Sequence, residues 1–325
     1  MNKKNTKLKR NLPKVVAIVT TINLDKKHTR FIKECLEKLQ KTNYDNLITY
    51  VLDNGSPKKI HEFIKKKFSW VKFILKDRNL GFAIGNNLVI KIALKEENPD
   101  YIILLNDDNV FIDPSWLKIM INEAEAKLST GVIGCRNLYP NKSDQWIAKK
   151  GKLSFFKIPG HKEKSKEIYK TQIVNNIVGN CFLIKREVIN KIGLLDEKLS
   201  PFYGEETDFC LRAQKAGYKN LYVGKTYIIH HRDQSISLFN EDEIWFIQLK
   251  NAIRMEWLNY SLLKILKSSF SHFLSWIFTI KNKKLVLRKN ILKKLRLLFK
   301  AYFINFNNLK EITIKHKKRN SWEKI

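Results

Sequence analysis

A doubly wound α/β fold with a mostly parallel central sheet is predicted by three observations. Four short apolar runs rich in β-branched residues lie at 15–20, 48–52, 71–75 and 101–105. Each is nearly continuous in its apolar character, which marks strands buried on both faces, as in a parallel sheet. Helical patterns fall between them, and a βαβαβ order implies a doubly wound sheet.

The elements follow in order. A basic run precedes residues 15–22 in the manner of a signal peptide, but the apolar part is short. Asn23, Asp25 and two lysines follow it without a small-residue cleavage site, so it reads as the first strand. In the first helix Phe31, Cys35 and Leu39 recur every four residues. A second helix spans about 82–94. Asp113-Pro114 predicts a helix start, an N-cap followed by proline at the first helical position, with Leu117, Ile121, Ala124 and Leu128 on its buried face. Residues 137–172 are polar and aperiodic and read as an excursion over a site. A strand at 178–184, helices at 186–192 and 206–216, and a final strand at 221–229 ending in His230-His231 complete the domain. From about 240 the pattern is helical. The expected organisation is a basic tail over 1–13, a catalytic domain over 14–240 and a basic amphipathic helical region over 241–325.

The chain has 325 residues, 44% of them hydrophobic, enough for a sizeable core. Its net charge of +31 sits mainly at the ends. Residues 1–14 carry six Lys/Arg and no acid, and residues 257–325 carry 17 Lys/Arg against two acids. Such ends attract polyanions, either nucleic acid or an anionic membrane surface. The four cysteines, Cys35, Cys135, Cys181 and Cys210, form no C-x-x-C, so reduced thiols in a cytosolic protein are expected. The uncharged stretch 268–280 is too short to span a bilayer.

Several clusters carry chemistry. Asp53-Asn54-Gly55-Ser56 follows the second strand; its Asp can accept hydrogen bonds from a base or ribose, although Asn-Gly is equally a common turn pair. Asn79-Leu80-Gly81-Phe82-Ala83-Ile84-Gly85-Asn86 stands at a loop-to-helix junction, where backbone N–H groups can approach a diphosphate. Asn106-Asp107-Asp108 emerges from five apolar residues. Hard oxygen ligands at a strand end suit Mg²⁺ or Mn²⁺; the plainer reading is a capped turn. Glu205-Glu206-x-Asp208 opens a helix, where acids are favoured by the macrodipole alone but can also serve as a general base. His230-His231 offers one imidazole to a metal.

In sequence order these segments, with Gly179-Asn180-Cys181-Phe182-Leu183-Ile184-Lys185-Arg186 between them, resemble a family-2 glycosyltransferase of the GT-A fold, especially its rhamnosyltransferase-like branch. The resemblance covers roughly residues 14–235. It implies a metal-assisted, inverting transfer of a hexosyl or deoxyhexosyl group from a nucleoside-diphosphate sugar to a hydroxyl of a glycan or lipid-linked acceptor. It implies that Thr20 and Asp53 hold the nucleoside and that Asn79, Gly81 and Asn86 flank the donor. Asp108 matches the last acid of the family's DxD motif and would bind Mg²⁺ or Mn²⁺. Asn106 and Asp107 would stand beside it on the donor, and His230 would be a further metal or diphosphate contact. Glu206 matches the acid taken as the base, with Glu205 its neighbour. Two positions depart from the pattern: Asn106 replaces the first Asp of DxD, and Glu206 replaces the commoner Asp.

Two other functions fit parts of the sequence. A nucleic-acid binder would explain the charge, but two acidic clusters would repel phosphate, so no nucleic-acid partner is expected. A sugar-nucleotide pyrophosphorylase would need a Gly-rich loop with Arg and Lys after the first strand, where Thr20-Thr21-Ile22-Asn23-Leu24 stands instead. The apolar stripe of Trp257, Leu258, Leu262, Ile265 and Leu266, continued by Phe270, Phe273, Leu274 and Ile277 and by Leu292, Leu295, Leu298 and Phe299 among basic residues, fits the surface of an anionic membrane. It equally fits a helical subdomain packed on the catalytic domain. The expected location is cytoplasmic, peripheral at the inner face of the membrane. Removal of 257–325 is expected to leave donor hydrolysis largely intact.

Overall fold

The computed structural model describes residues 12–22, 25–144, 166–231, 239–281, 284–287 and 290–322. Strand β1 (Val15–Thr21) leads through helix α1 (Lys26–Leu39) to β2 (Leu47–Asn54). Then come α2 (Lys58–Lys67), β3 (Lys72–Lys76), α3 (Phe82–Glu97) and β4 (Tyr101–Asn106). These four strands are parallel, in the order β3-β2-β1-β4. Next are β5 (Asn109–Val110), α4 (Trp116–Glu125), β6 (Thr130–Leu138), β7 (Gln172–Val174) and β8 (Cys181–Lys185). Helices α5 (Arg186–Ile192) and α6 (Glu205–Lys215) and strand β9 (Lys219–His230) follow. Beyond β4 the sheet is mixed: β8 is antiparallel to β4 and β6, β9 is parallel to β6, and β5 and β7 are antiparallel to β9.

Strand periodicity divides the core in two. Val15, Ala17 and Val19 face α1 and α4 and pack with Ile32, Leu36, Trp116 and Met120. Val16 and Ile18 face the other side, with Val89 and Ile90 of α3, Val188 of α5 and Phe209 of α6. Both faces are covered by helices, so the strand sequences read as continuous apolar runs.

Several expectations change. Strand β3 is an edge strand, and Leu75 on it is 41% exposed. Helix α4 starts at Trp116 with Ser115 at its N-cap. Asp113 forms the preceding turn, its Oδ1 accepting the Ser115 N–H at 2.8 Å. The helix ends before Leu128, which is 93% exposed and lies on no buried face. The strand expected at 178–184 begins at Cys181, because 177–180 form a loop and turn that reach the site. In the expected polar excursion, β6 runs on to Leu138, a bridge joins Leu138 to Asp144, and β7 pairs with β9. Residues 145–165 of it lie outside the described residues, as do 1–11 of the basic N-terminal tail. The four cysteines are buried thiols.

The C-terminal region forms α7 (Glu241–Asn259), α8 (Leu262–Ile277), a hairpin of β10 (Phe278–Lys281) with β11 (Lys284–Leu287), α9 (Ile291–Phe306) and α10 (Leu309–Trp322). The hairpin departs from the helical expectation, and Thr279, Ile280 and Val286 supply its β-branched residues. Asn240 and Glu243 form a reciprocal capping box that starts α7. Leu249 and Ile253 of α7 form a small core with Leu298 and Ala301 of α9. Helices α7 and α10 dock on the preceding α/β unit through buried polar contacts described below. Among the described residues no helix is long and apolar enough to cross a membrane.

Candidate active site

The carboxyl ends of β1, β2 and β4 lie side by side, with Thr20 opposite Asn106 and Thr21 opposite Asp53. The chain leaves β1 for β2 on one side and later enters β4 on the other, so this edge is a topological switch point. Ligands of open α/β sheets bind at such points. Thr20 Oγ1 donates to Asn86 Oδ1 at 3.1 Å, which joins β1 to the first turns of α3. Asp53 is fully buried. Its Oδ1 accepts the Ser56 N–H at 2.9 Å, and its Oδ2 has no hydrogen-bond partner among the described residues. A buried carboxylate oxygen without a donor is costly, and a ligand N–H or O–H would satisfy it.

The Asn79 loop is held to the β2 end by Asn54. Asn54 Nδ2 donates to Asn79 Oδ1 at 3.0 Å, and Asn54 Oδ1 accepts the Leu80 N–H at 3.0 Å. Gly81 has φ +77°, and a Cβ there would lie 3.0 Å from Pro201 Cα and O. Only glycine combines that backbone with so close an approach. The Phe82 N–H donates to Pro201 O at 2.9 Å, so the loop at the start of α3 is fixed to the one entering Glu205.

The Asn106-Asp107-Asp108 turn is braced from three sides. Thr21 Oγ1 donates to Asp107 Oδ2 at 2.5 Å. Burial, then the charge of Asp108, pushes Asp107 up to about 7. The Asn106 N–H donates to Asn180 O at 3.0 Å. Strand β5 pairs Asn109 with His230, bringing the end of β9 onto the turn. His230 Nε2 then lies 3.3 Å from Asp108 Oδ1 and 3.5 Å from Asn106 Nδ2.

The residues fit a divalent cation. Asp108 Oδ1 is buried and makes no hydrogen bond among the described residues, and His230 Nε2 is its near neighbour. Two ligands in adjacent positions of an octahedral Mg²⁺ site stand about 3 Å apart, from bond lengths of about 2.1 Å. Among the described residues no group of three His, Cys, Asp or Glu side chains surrounds a common point. The pair therefore suits a cation that completes its shell with substrate oxygens and water, the usual manner of Mg²⁺.

The second acidic cluster opens α6 behind Gly204, in the left-handed region at φ +100°. Glu205 is 1% exposed, and its Oε1 has no hydrogen-bond partner among the described residues. Burial, then the neighbouring Glu206 charge, pushes Glu205 well up. Glu206 is half-buried and also raised, by burial. It lies against Gly179: a Cβ on that glycine would be 3.7 Å from Glu206 Cβ, Cγ and Cδ. Asp208 is fully buried between Arg212 Nε at 2.8 Å and Arg319 Nη1 at 2.5 Å. Burial alone would raise Asp208, but Arg319 and then Arg212 outweigh it and hold the carboxyl well below its usual range.

The fold thus gathers Thr20, Asp53, Asn79, Gly81, Asn86, Asn106, Asp107, Asp108 and His230 along one connected edge. It brings Glu206 to the Gly179-Asn180 turn beside it. Glu205 is instead turned into the protein. Sequence reasoning missed the residues that hold these groups. Asn180, quoted within a motif but given no role, exchanges side-chain bonds with Asn109 and Asn137. Asn251 of α7 donates to Leu199, Phe202 and Tyr203 carbonyls at 2.5–3.0 Å and fixes the turn before Glu205. Beside it, Lys250 Nζ donates to Ser200 O at 2.8 Å, and burial lowers its ammonium to about 8. Arg254 forks onto Asp196, with Nε and Nη2 each about 3 Å from Oδ2. Buried Asn and Arg in otherwise apolar patterns were the available signal.

The sequence profile of glycosyl transferase family 2 matches residues 17–193, more than half of the chain. The chain is 26% identical over 233 residues to the uncharacterized protein y4gI of Sinorhizobium fredii, covering 67% of this chain and 25% of that one. It is 24% identical over 157 residues to the O-antigen biosynthesis protein RfbC of Myxococcus xanthus, covering 44% and 12%. It is 23% identical over 210 residues to the low-salt glycan biosynthesis hexosyltransferase Agl10 of Haloferax volcanii, covering 62% and 64%. The chain therefore spans a quarter or less of the first two relatives and under two thirds of the third. Among solved structures it is similar to GalNAc-T7 with UDP, GalNAc and Mn²⁺, at TM-score 0.59 and 17% identity, covering 82% of this chain and 51% of that one. It is also similar to the mannosyltransferase PcManGT of Pyrobaculum calidifontis with GDP-Man and Mn²⁺, at TM-score 0.51 and 12% identity, covering 96% and 88%. The fold they share with this chain is GT-A. A profile match of that extent makes the chain a member of glycosyl transferase family 2.

Proposed function

We propose that this glycosyltransferase moves a hexosyl or deoxyhexosyl group, with inversion, from a nucleoside-diphosphate sugar to a hydroxyl of a glycan or lipid-linked acceptor. The assignment includes the rhamnosyltransferase-like branch, a catalytic domain over 14–240 and a role in polysaccharide biosynthesis. The observation that carries it is the convergence of Asp108-His230 and Glu206 on the Gly179-Asn180 turn at the carboxyl edge of the sheet. The names of the relatives and the nucleotide sugars and Mn²⁺ of the solved structures support it.

In this reading Asp53 Oδ2 accepts from the base or ribose, and Thr20, Asn79, Gly81 and Asn86 line the donor. Asn106 and Asp107 stand beside the diphosphate. Asp108 and His230 would hold Mg²⁺ or Mn²⁺, which would supply Lewis-acid stabilisation of the departing diphosphate. Glu206 is the base and takes the acceptor proton, while Glu205, buried within the protein, carries no transfer. A positioned general base typically contributes about 10²–10⁴ in rate.

The acceptor reading extends to an anionic membrane surface on the cytoplasmic side. Helix α8 exposes Leu262, Leu263, Leu266 and Phe270, and α9 exposes Phe299, Phe303 and Phe306. Neither helix carries an acid. Such faces suit the headgroup boundary of an anionic bilayer.

The test of the donor assignment is a thermal-shift screen of UDP-, GDP- and dTDP-sugars with and without Mn²⁺. One donor should raise the melting temperature only with the metal; a ligand at 100 times its Kd stabilises by about 2.7 kcal/mol. If no nucleotide sugar shifts the melting temperature, the reading is wrong.

A further inference from the structure

We propose that Arg319, on the last helix, is a positioning residue for the base at the start of α6. The proposal rests on the transferase reading above. Arg319 is 3% exposed, and its guanidinium spans both oxygens of Asp208, Nη1 to Oδ1 at 2.5 Å and Nη2 to Oδ2 at 3.3 Å. The same Nη1 also donates to Asn259 Oδ1 at 3.2 Å, at the end of α7. Asp208 is two residues beyond Glu206, and its N–H donates to Gly204 O at 2.8 Å, closing the turn that carries the base. The other partner, Arg212, is spent on the fold: beyond Asp208 it donates to the Ile192 and Leu194 carbonyls at 2.9 Å. Arg319 thus ties this turn to α10, as Asn251 of α7 ties the loop before it and Asn176 Nδ2 donates to Thr207 Oγ1 within it at 3.1 Å.

Apolar packing does not explain why Arg319 is there. Ile312 and Arg319 are the buried residues of α10, so the helix brings little core with it. A buried ion pair adds little stability over well-packed apolar groups, while its geometry specifies position. Here the position specified is that of α10 against the first turn of α6. On this proposal removal of 257–325 would not spare the chemistry, because truncation would strip Asp208 of one of its two guanidiniums.

The test compares full-length wild type with Arg319→Met, Arg319→Lys and, as a control on the same helix, Lys315→Met, whose ammonium faces Asp196 and Glu311. Arg319→Met should lower kcat by about 10–10²-fold, the scale of a small misplacement of a catalytic group, with donor KM nearly unchanged. Lysine keeps the charge without the fork and should recover part of the loss. Backbone amides over 204–209 should exchange faster in Arg319→Met and not in Lys315→Met. If Arg319→Met does not fold, Arg319→Gln takes its place with the same expectation. Unchanged kcat in a folded Arg319 variant, or an equal loss in Lys315→Met, overturns the proposal. If wild type turns over no nucleotide sugar, the transferase reading fails separately. Hydrogen exchange then decides alone, and unchanged protection over 204–209 overturns the positioning role.

Discussion

The carbonyl of Asn180 accepts the backbone N–H of Asn106 at 3.0 Å, and through it the two acidic clusters share one support. The preceding residue, Gly179, lies against Glu206. The Asn180 side chain donates to Asn109 Oδ1 at 3.2 Å and accepts from Asn137 Nδ2 at 3.0 Å, so β5 and β6 meet at the same residue. Every member of this amide cluster is buried. Asn180→Ala would leave Asn109 Oδ1 and Asn137 Nδ2 without these partners, each orphaned group costing about 1–3 kcal/mol. We expect a lower melting temperature and weaker Mn²⁺-dependent donor binding together, read by calorimetry. A variant with normal melting and normal affinity would show that the turn stands without Asn180.

Asp108→Ala should abolish Mn²⁺-dependent nucleotide binding while the protein remains folded. The basis is its buried Oδ1 beside His230 Nε2 at 3.3 Å. His230→Ala should weaken the same binding by less, since a carboxylate contributes charge and an imidazole does not. Titration of donor in Mn²⁺ and in EDTA gives the comparison, and equal affinity of Asp108→Ala and wild type in Mn²⁺ would remove Asp108 from the metal.

The two glutamates should separate by exposure. Glu206→Gln keeps shape but cannot take a proton, so turnover should fall about 10²-fold or more with donor affinity nearly kept. Glu205→Gln should leave most activity in place. Its effect should be on stability, with a sign fixed by linkage. The carboxyl of Glu205 is raised in the folded state above its ordinary value of 4.5. Between those two values the folded protein binds more protons than the unfolded chain, so stability falls as pH rises through the window. Glu205→Gln should therefore raise the melting temperature at pH values above the raised position, with the gain shrinking as pH falls toward 4.5. If the loss of turnover follows Glu205→Gln instead, the base is the buried neighbour.

The legible parts of the molecule are those with a local signature. Strands covered on both faces leave unbroken apolar runs, and the polar residues that end them, Thr20, Asp53 and Asn106, mark the carboxyl edge of the sheet. Strand β6 escaped this reading because glycines interrupt it. A Cβ on Gly134 would come within 2.4 Å of Ile177 Cγ2, so the strand gives up a side chain where the adjoining loop crosses it. Helix α2 is half lysine, and among its described side chains Ile64, with Phe68 just beyond it, is the one in the core. Partners distant in sequence leave no periodicity at all: Arg319 and Asp208 are 111 residues apart, and Asn180 and Asn109 are 71 apart. The sequence therefore marked the acidic clusters and was silent on what holds them.

The C-terminal region divides between two roles. Helices α7 and α10 turn their polar residues onto the catalytic domain through Asn251, Arg254 and Arg319. Helix α8 turns apolar residues outward: Leu262, Leu263 and Leu266 are 71%, 73% and 59% exposed, and Phe270 is 65% exposed. Lys264 and Lys267 lie among them. Burying one such side chain in an apolar phase is worth about 1.5–3 kcal/mol, and each nearby lysine adds about 1 kcal/mol at an anionic surface. The full-length protein should co-sediment with vesicles containing anionic lipid, and less so as salt is raised, since the Debye length is about 10 Å at 0.1 M and shrinks with concentration. Leu266→Asp with Phe270→Asp should abolish co-sedimentation while donor hydrolysis in solution stays near wild type, because neither residue touches the site. Failure of the full-length protein to bind anionic vesicles at low salt would assign this face to another partner, and loss of hydrolysis in the double variant would place α8 within the catalytic fold.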